Sequence, residues 1–297
     1  MTHTKSLRSA FLLFFTAFAL FVSAAAQTSS DAAPLPGKIS KQTFQSKLMA
    51  RNMPFNVFLP PNYDEKSQKE TRYSVVILLH GLTGHFDNWQ KLSNLEKNAV
   101  RFNFIIVMPE GDDGWYTDSA SIADDKYESY IIKELIPEID SRYRTKAKRE
   151  NRALAGLSMG GYGAIKFGLK YPENFALVGS FSGALGITDL TDKNAGAWVS
   201  KSVMSVYGEA GSETRKSNDI FHLVRQLNEA EIKSLPFIYQ DCGTEDFLIQ
   251  SNRDFVKLLG EKKIPHEYRE LPGIHNWKFW DAQVQEFLRL SERMIAG

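Results

Sequence analysis

The hydrophobic pattern of the chain alternates short apolar runs with longer stretches in which apolar positions recur every three or four residues. The short runs, several of them rich in Val and Ile, predict strands of a sheet that is covered on both faces. These runs are Ser74–Leu79, Phe104–Met108, Arg152–Ala155, Leu177–Phe181 and Pro236–Gln240. A more amphipathic run, Asn56–Leu59, predicts an earlier antiparallel strand at the sheet edge.

The stretches with helical spacing lie between these runs. Tyr127–Ile139 carries one apolar stripe, Met159–Leu169 is rich in Ala and Gly and stops before Pro172, and Asp281–Met294 closes the chain. Strands that alternate with helices predict an α/β fold, with a mainly parallel central sheet and helices on both faces.

The domain organisation follows from the same pattern. We see no internal repeat and no boundary inside residues 40–297, which we interpret as a single domain with this α/β fold. Residues 188–235 form the least regular stretch, and we interpret them as an insertion over the carboxyl edge of the sheet.

The first 26 residues have the pattern of a secretory signal peptide. Lys5 and Arg8 precede an apolar run, Phe11–Val22, and small residues ending at Ala26 supply a cleavage site. An uncleaved membrane anchor is the alternative, but the run is shorter than the ~20 apolar residues of a spanning helix. No cysteine follows for a lipid anchor. We therefore expect a secreted or periplasmic protein without a stable membrane anchor, and a linker at residues 27–39.

Charge and cysteine content exclude some classes of function. The chain has 36 basic and 35 acidic side chains, and loss of residues 1–26 leaves 34 basic ones. This near-neutral balance argues against a nucleic-acid partner. Cys242 is the one cysteine of the sequence, so an intrachain disulfide is impossible.

Ser158 lies in a Gly-Leu-Ser-Met-Gly stretch, Gly156–Gly160, between a predicted strand and a predicted helix. A G-x-S-x-G match alone is common by chance. In a strand–turn–helix context, however, it is typical of a nucleophile elbow, which presents a serine at the carboxyl end of the strand.

A nucleophilic serine needs a base and an orienting acid. Of the six histidines, His275 lies in a Gly-marked loop between the last strand-like run and the last helix. Asp241, Glu245 and Asp246 follow the strand at Pro236–Gln240, and we favour Asp246 because it lies beyond the turn at Gly243. The order Ser158, Asp246, His275 is that of α/β-hydrolases.

Backbone N–H groups are needed to bind an oxyanion. The His-Gly loop after Ser74–Leu79 offers the N–H of Leu82, and the residue after the nucleophile offers that of Met159. An ordinary strand-to-loop turn is the alternative interpretation of the His-Gly pair.

These motifs resemble the esterase-D-like α/β-hydrolases, which include S-formylglutathione hydrolases, feruloyl and acetyl-xylan esterases, and mycolyltransferases. The stretches LLHGLTG, MPEGDDGWYTDS, GLSMGGYGA, CGTEDF and GIHNWKFW carry the resemblance from about Asn56 to Phe287. It implies the α/β-hydrolase fold, Ser158, Asp246 and His275 as the triad, and Leu82 and Met159 as oxyanion donors.

The expected activity is hydrolysis of carboxylic esters, of carbohydrate or short-chain acyl type, through an acyl-enzyme. The substrate is a small molecule or a polysaccharide ester, and no cofactor or metal is expected. Trp115 and Trp277 are candidate substrate-binding residues, with a core position as the alternative. An acyltransferase, an S-formylglutathione-hydrolase-like thioesterase and a non-catalytic carbohydrate-binding protein are the alternative functions.

Overall fold

The computed structural model describes residues 33–191 and 193–296. The predicted signal peptide and the first part of the predicted linker lie outside these residues. In the described part of the chain, no helix has both the length and the apolar character needed to cross a membrane.

One mixed sheet of eight strands organises the described residues. Its strands are β1 (Ile39–Ser46), β2 (Arg51–Phe58), β3 (Ser74–Leu79), β4 (Phe104–Pro109), β5 (Arg152–Leu157), β6 (Leu177–Phe181), β7 (Phe237–Gly243) and β8 (His266–Leu271). Their spatial order is β1-β2-β4-β3-β5-β6-β7-β8. The pairs β1–β2 and β2–β4 are antiparallel and the remaining pairs are parallel, which confirms the predicted mainly parallel sheet.

The helices connect these strands. They are α1 (Asn88–Lys91), α2 (Leu95–Ala99), α3 (Tyr127–Tyr130), α4 (Ile136–Arg142), α5 (Met159–Lys170), α6 (Ala197–Tyr207), α7 (Glu213–Asn218), α8 (Ile220–Gln226), α9 (Glu229–Ser234), α10 (Ile249–Glu261) and α11 (Trp277–Ile295). A π-helical turn, Ile131–Leu135, joins α3 to α4. Short 3₁₀ turns occupy Lys66–Gln68, Arg149–Asn151, Pro172–Asn174 and Ile187–Asp189.

Two hydrophobic cores cover the two faces of the sheet. Side chains of α3 to α6, α8 and α10 pack on one face, and side chains of α1, α2 and α11 pack on the other. Strands β3 to β6 are buried along their whole length, as their unbroken apolar runs predict. Helices therefore cover both faces, in agreement with the sequence pattern.

Three sequence expectations differ from the structure. The stretch around Asn56 belongs to an antiparallel strand, but β1 pairs outside it and is the true edge. Ile39, which we assigned to the linker, begins β1. Helix α11 begins at Trp277 rather than Asp281 because the Asn276 side chain caps it, accepting from Phe279 N.

The segment 188–235 is also more regular than its sequence pattern indicates. Its described residues include the four helices α6 to α9, which have between 6 and 11 residues each. Helices this short carry too few apolar repeats to produce a clear periodic signal.

Candidate active site

Ser158 stands at the sharp turn between β5 and α5. Its backbone adopts φ 53° and ψ −114°, a strained combination that a non-glycine residue rarely takes. The next strand fixes this turn: Ser158 N donates to Phe181 O at 2.9 Å, and Ala184 N donates to Ser158 O at 3.0 Å. The strain is thus imposed by the surrounding sheet, and it presents the hydroxyl at the carboxyl edge.

The two glycines that flank the turn leave it no room for side chains. A Cβ on Gly156 would lie 2.5 Å from the backbone of Gly160. A Cβ on Gly160 would lie 2.6 Å from the carbonyl oxygens of Leu79 and His80. Both partners are backbone atoms that cannot rotate away, so the close packing of α5 against β3 and β5 requires glycine at both positions.

His275 and Asp246 complete a chain of hydrogen bonds with Ser158. The Nε2 atom of His275 lies 3.0 Å from Ser158 Oγ, and its Nδ1 atom lies 2.8 Å from Asp246 Oδ2. Asp246 follows β7 and His275 follows β8, so the parallel strands bring both loops to the edge where β5 ends. The structure therefore brings together the three residues that the sequence proposed as a triad.

Asp246 is held as an acceptor. Its side chain is fully buried, and burial alone would raise the pKa of the carboxyl. Hydrogen bonds from His275 and from the backbone N–H of Leu248, the latter at 2.9 Å, outweigh burial and lower the pKa below its usual value. An ionised Asp246 fixes the imidazole tautomer and stabilises its cation.

The two rival acids do not bond to His275. Asp241 lies inside β7 and is fully buried, and burial raises the pKa of its carboxyl well above the usual range. Glu245 is exposed to solvent. Only Asp246 of the three reaches the imidazole.

The two candidate oxyanion donors flank Ser158. Met159 is the first residue of α5, where a backbone N–H has no partner within the helix. Leu82 lines the same cavity as Ser158. The preceding residue is close enough that a Cβ on Gly81 would lie 3.4 Å from Ser158 Cβ. Both candidate donors therefore lie close to Ser158, one following it in sequence and one on the wall of the same cavity.

His80 and Glu110 support the loop that carries the candidate donor Leu82, a role that sequence reasoning missed. The Nδ1 atom of His80 donates to Gly81 O at 2.8 Å, and its Nε2 atom lies 3.1 Å from Glu110 Oε1. The carbonyl of Gly81 and the N–H of Leu82 belong to one peptide unit, so this bond orients the donor. The sequence did contain a signal for this pair: the His-Gly loop and the Pro-Glu-Gly stretch each come at the end of a parallel strand, so both lie at the same edge of the sheet.

A cavity of about 600 Å³ opens above Ser158. Trp277, a candidate substrate-binding residue, contributes to its wall together with Trp280. The ring centroids of Phe247 and Trp280 lie 4.6 and 4.8 Å from that of His275. Trp198 and Phe247, which sequence reasoning did not single out, also line the cavity and are 52% and 77% exposed. The site is thus aromatic and open on one side.

Trp115 is not part of this cavity wall. Its side chain is 2% exposed, donates from Nε1 to Ser202 Oγ at 2.8 Å and packs edge-on against Tyr162. The substrate-binding role expected for Trp115 is therefore wrong, because the loop after β4 turns its indole into the core. The backbones of Trp115 and Tyr116 both have φ 50°. Lys166 Nζ fixes this turn by donating to Tyr116 O at 2.7 Å.

Comparisons with known proteins identify the family of the chain. The Esterase family model ("Putative esterase") matches residues 46–290. An acetyl esterase of Caldicellulosiruptor saccharolyticus is 32% identical over 254 residues, covering 83% of this chain and 95% of that protein.

Solved structures give the same result. A ferulic acid esterase superposes with a TM-score of 0.74 at 26% identity, covering 87% of this chain and 98% of that one. A Staphylococcus aureus fluorophosphonate-binding serine hydrolase superposes with a TM-score of 0.77 at 26% identity, covering 86% and 98%. The chain has the α/β-hydrolase fold, belongs to the esterase family and is an ester-hydrolysing enzyme.

Proposed function

We propose that the protein is a serine esterase in which Ser158, His275 and Asp246 act as nucleophile, base and orienting acid. The observation that carries this proposal is the continuous hydrogen-bonded chain from Ser158 Oγ to Asp246 Oδ2, at 3.0 and 2.8 Å. The strained backbone of Ser158 supports the same assignment, since strain of this kind persists where function requires it.

The proposed reaction has two steps. His275 Nε2 removes the proton of Ser158 as Oγ attacks the ester carbonyl, and the amides of Leu82 and Met159 hold the oxyanion. The tetrahedral adduct collapses, the alcohol leaves with the proton from His275, and an acyl-enzyme remains. Water then gives its proton to His275 and attacks the acyl-enzyme, and the acid is released as Ser158 regains its proton.

The proposed substrates are esters of carbohydrates or of short acyl chains. Two features support this class: the similarity to an acetyl esterase and to a ferulic acid esterase, and a cavity of about 600 Å³ lined by aromatic side chains. We also propose that the enzyme is secreted or periplasmic. The support for this is the signal-peptide pattern of residues 1–26, which lie outside the described part of the chain.

Ser158→Ala tests the nucleophile. The purified full chain should hydrolyse p-nitrophenyl acetate and react with a fluorophosphonate probe, and the variant should do neither. Ser67→Ala, at an exposed serine in the 3₁₀ turn Lys66–Gln68, is the matched control and should behave like the wild type. Retention of hydrolysis by Ser158→Ala would show that the nucleophile is misassigned.

Asp246→Asn and Asp241→Asn test the acid. Asp246→Asn should lower kcat by about 10³- to 10⁴-fold, because the imidazole loses the partner that fixes its tautomer. Asp241→Asn should retain most activity, since burial already favours the neutral form of Asp241. Equal losses in the two variants would contradict the assignment. Adding an alcohol acceptor to the same assay measures how much acyl transfer accompanies hydrolysis.

A further inference from the structure

A second cavity lies next to the one above Ser158, and Trp198 contributes to the walls of both. The second cavity has a volume of about 320 Å³, within the range of small-molecule sites. Its wall is formed by the loop after β4, by the start of α3 and by α6. We call it the Trp198 cavity. A ligand that extends from the ester carbonyl past Trp198 would therefore enter it.

Trp198 leaves much of its indole in water. Its side chain is 52% exposed on α6, in a segment where most other large apolar residues are buried. Ile122, 45% exposed, lies on the wall of the same cavity. Exposed aromatic surface beside an active site marks a binding surface, because water contact with that area is unfavourable until a ligand covers it.

The polar groups of the Trp198 cavity suit hydroxyl groups. Asp112 and Asp125 offer carboxylate acceptors, while Lys201 and Ser205 offer donors. Ser205 Oγ lies 3.4 Å from Ser121 Oγ, a long contact that leaves the hydroxyl capacity for a further partner. An apolar ring face bordered by both donors and acceptors is the chemistry that binds a sugar, whose C–H face stacks while its hydroxyls bond at the edges.

The charge of the cavity wall narrows the range of ligands that can bind there. Three carboxylates, including that of Asp113, and one ammonium group line its wall. Arg51 pairs with Asp125 at 3.0 Å, so the local count is three negative and two positive charges. This negative balance disfavours an anionic ligand through like-charge repulsion. A neutral polyhydroxylated chain meets no such penalty and satisfies the carboxylates through its hydroxyl groups.

We propose that the Trp198 cavity binds neutral glycosyl units in the alcohol part of the substrate, next to the sugar that bears the ester bound at Ser158. This rests on the proposed function, because it takes the substrate to be a carbohydrate ester. The enzyme then recognises an oligosaccharide and not an isolated esterified sugar.

Binding without turnover provides the first test. The full-length Ser158→Ala protein is titrated by calorimetry with xylohexaose, cellohexaose and mannohexaose, and with the corresponding monosaccharides. At least one hexasaccharide should bind about tenfold or more tightly than its monosaccharide. Asp112→Asn and Ser205→Ala, each added to Ser158→Ala, should weaken that binding by about fivefold, the value of one hydrogen bond.

The two substitutions are chosen to spare the backbone. Asp112 has φ 44°, a conformation that Asn also tolerates, and the backbone carbonyl of Ser205 keeps its bonds from Ser119 and Ser121 in Ser205→Ala. Asp64→Asn, at an exposed acid in a different loop, is the matched control and should leave hexasaccharide binding unchanged. Hexasaccharides that bind no more tightly than monosaccharides would overturn the proposal.

Steady-state kinetics of variants that retain Ser158 distinguish a failure of this proposal from a failure of the proposed function. The ratio of kcat/KM for an acetylated oligosaccharide to that for p-nitrophenyl acetate should fall about fivefold in Asp112→Asn and Ser205→Ala. An unchanged ratio in both variants would overturn the sugar site while leaving the esterase assignment intact. Hydrolysis of p-nitrophenyl acetate by Ser158→Ala would instead overturn the proposed function.

Discussion

Glu110 connects the stability of the fold to the geometry of the loop that carries Leu82, the proposed oxyanion donor. Its carboxylate lies 3.1 Å from His80 Nε2, accepts from Asp112 N at 2.7 Å and lies 3.2 Å from His85 Nδ1. Burial by itself would raise the pKa of Glu110, but these partners lower it from 4.5 to about 2. Since the side chain is only 12% exposed, solvent screens these interactions little.

The lowered pKa gives the magnitude expected for Glu110→Gln. A fall from 4.5 to about 2 sets an upper limit of about 3 kcal/mol on the folding free energy that the charge of Glu110 contributes at pH 7, because the two histidine partners act at full strength only when protonated. Because the folded-state pKa lies below the unfolded one, this stability is fully present above about pH 4.5 and is lost as the pH falls through 2. At pH 3 about 1 kcal/mol remains. Gln keeps the shape of the side chain and loses the charge.

Urea unfolding followed by tryptophan fluorescence measures this difference. Glu110→Gln should unfold at lower urea than the wild type at pH 7, with a smaller gap at pH 3. Its kcat for p-nitrophenyl acetate should fall by about 10- to 100-fold, because the Gly81–Leu82 peptide is held less firmly. Glu213→Gln, at a glutamate 90% exposed on α7, is the control and should not move the midpoint. Equal midpoints for wild type and Glu110→Gln at pH 7 would refute the reasoning.

Three further predictions concern packing. In chemical denaturation, Gly160→Ala should lower the free energy of unfolding by about 1–3 kcal/mol or more, because the new Cβ meets backbone atoms. Gly260→Ala on α10 is the control: its Cβ meets nothing within 4 Å, so the free energy of unfolding should rise by about 0.5–1 kcal/mol. Trp115→Ala should lower the free energy of unfolding by about 3–5 kcal/mol with little change in KM, because its indole is part of the core. Trp277→Ala should chiefly raise KM. The reverse pattern would place Trp115 in the site. Lys166→Met should lower the free energy of unfolding by about 1.5–3 kcal/mol, because the buried Glu128 carboxylate loses its partner at 2.8 Å and keeps Lys170 and Tyr171. Adding Glu128→Gln should restore part of the loss.

The sequence predicts those parts of the molecule whose structure depends on neighbouring residues or on the order of strands along the chain. The run Ser74–Leu79 is a strand with those same bounds, because a strand buried on both faces needs an unbroken apolar run. The turn at Ser158 is readable because its glycines are dictated by neighbours close in sequence and by the strand beside it. His275 and Asp246 follow the ends of their strands, and parallel strands gather such loops at one edge.

The parts that sequence could not predict depend on contacts made in three dimensions. Strand β1 mixes buried and exposed positions without strict alternation, so its pairing outside β2 leaves little pattern. In the sequence, Trp115 and Trp277 are equally good candidates for a substrate-binding aromatic residue. The backbone turn at Trp115, which directs its indole into the core, is visible only in the structure. Trp198 belongs to a short helix whose position over the site is set by tertiary packing, not by its own periodicity.

The distance along the chain between the triad members has a consequence for how activity appears during folding. Ser158 and His275 are separated by 117 residues and Asp246 and His275 by 29, so none of these contacts forms locally. The turn at Ser158 needs β6 beside it, and the imidazole reaches it only after β7 and β8 have docked. Closing these long loops is slow, because their entropy must be lost before the contacts form. We therefore expect activity to return only after the whole sheet has formed, so that a refolding molecule in which only β3 to β6 have paired is still inactive.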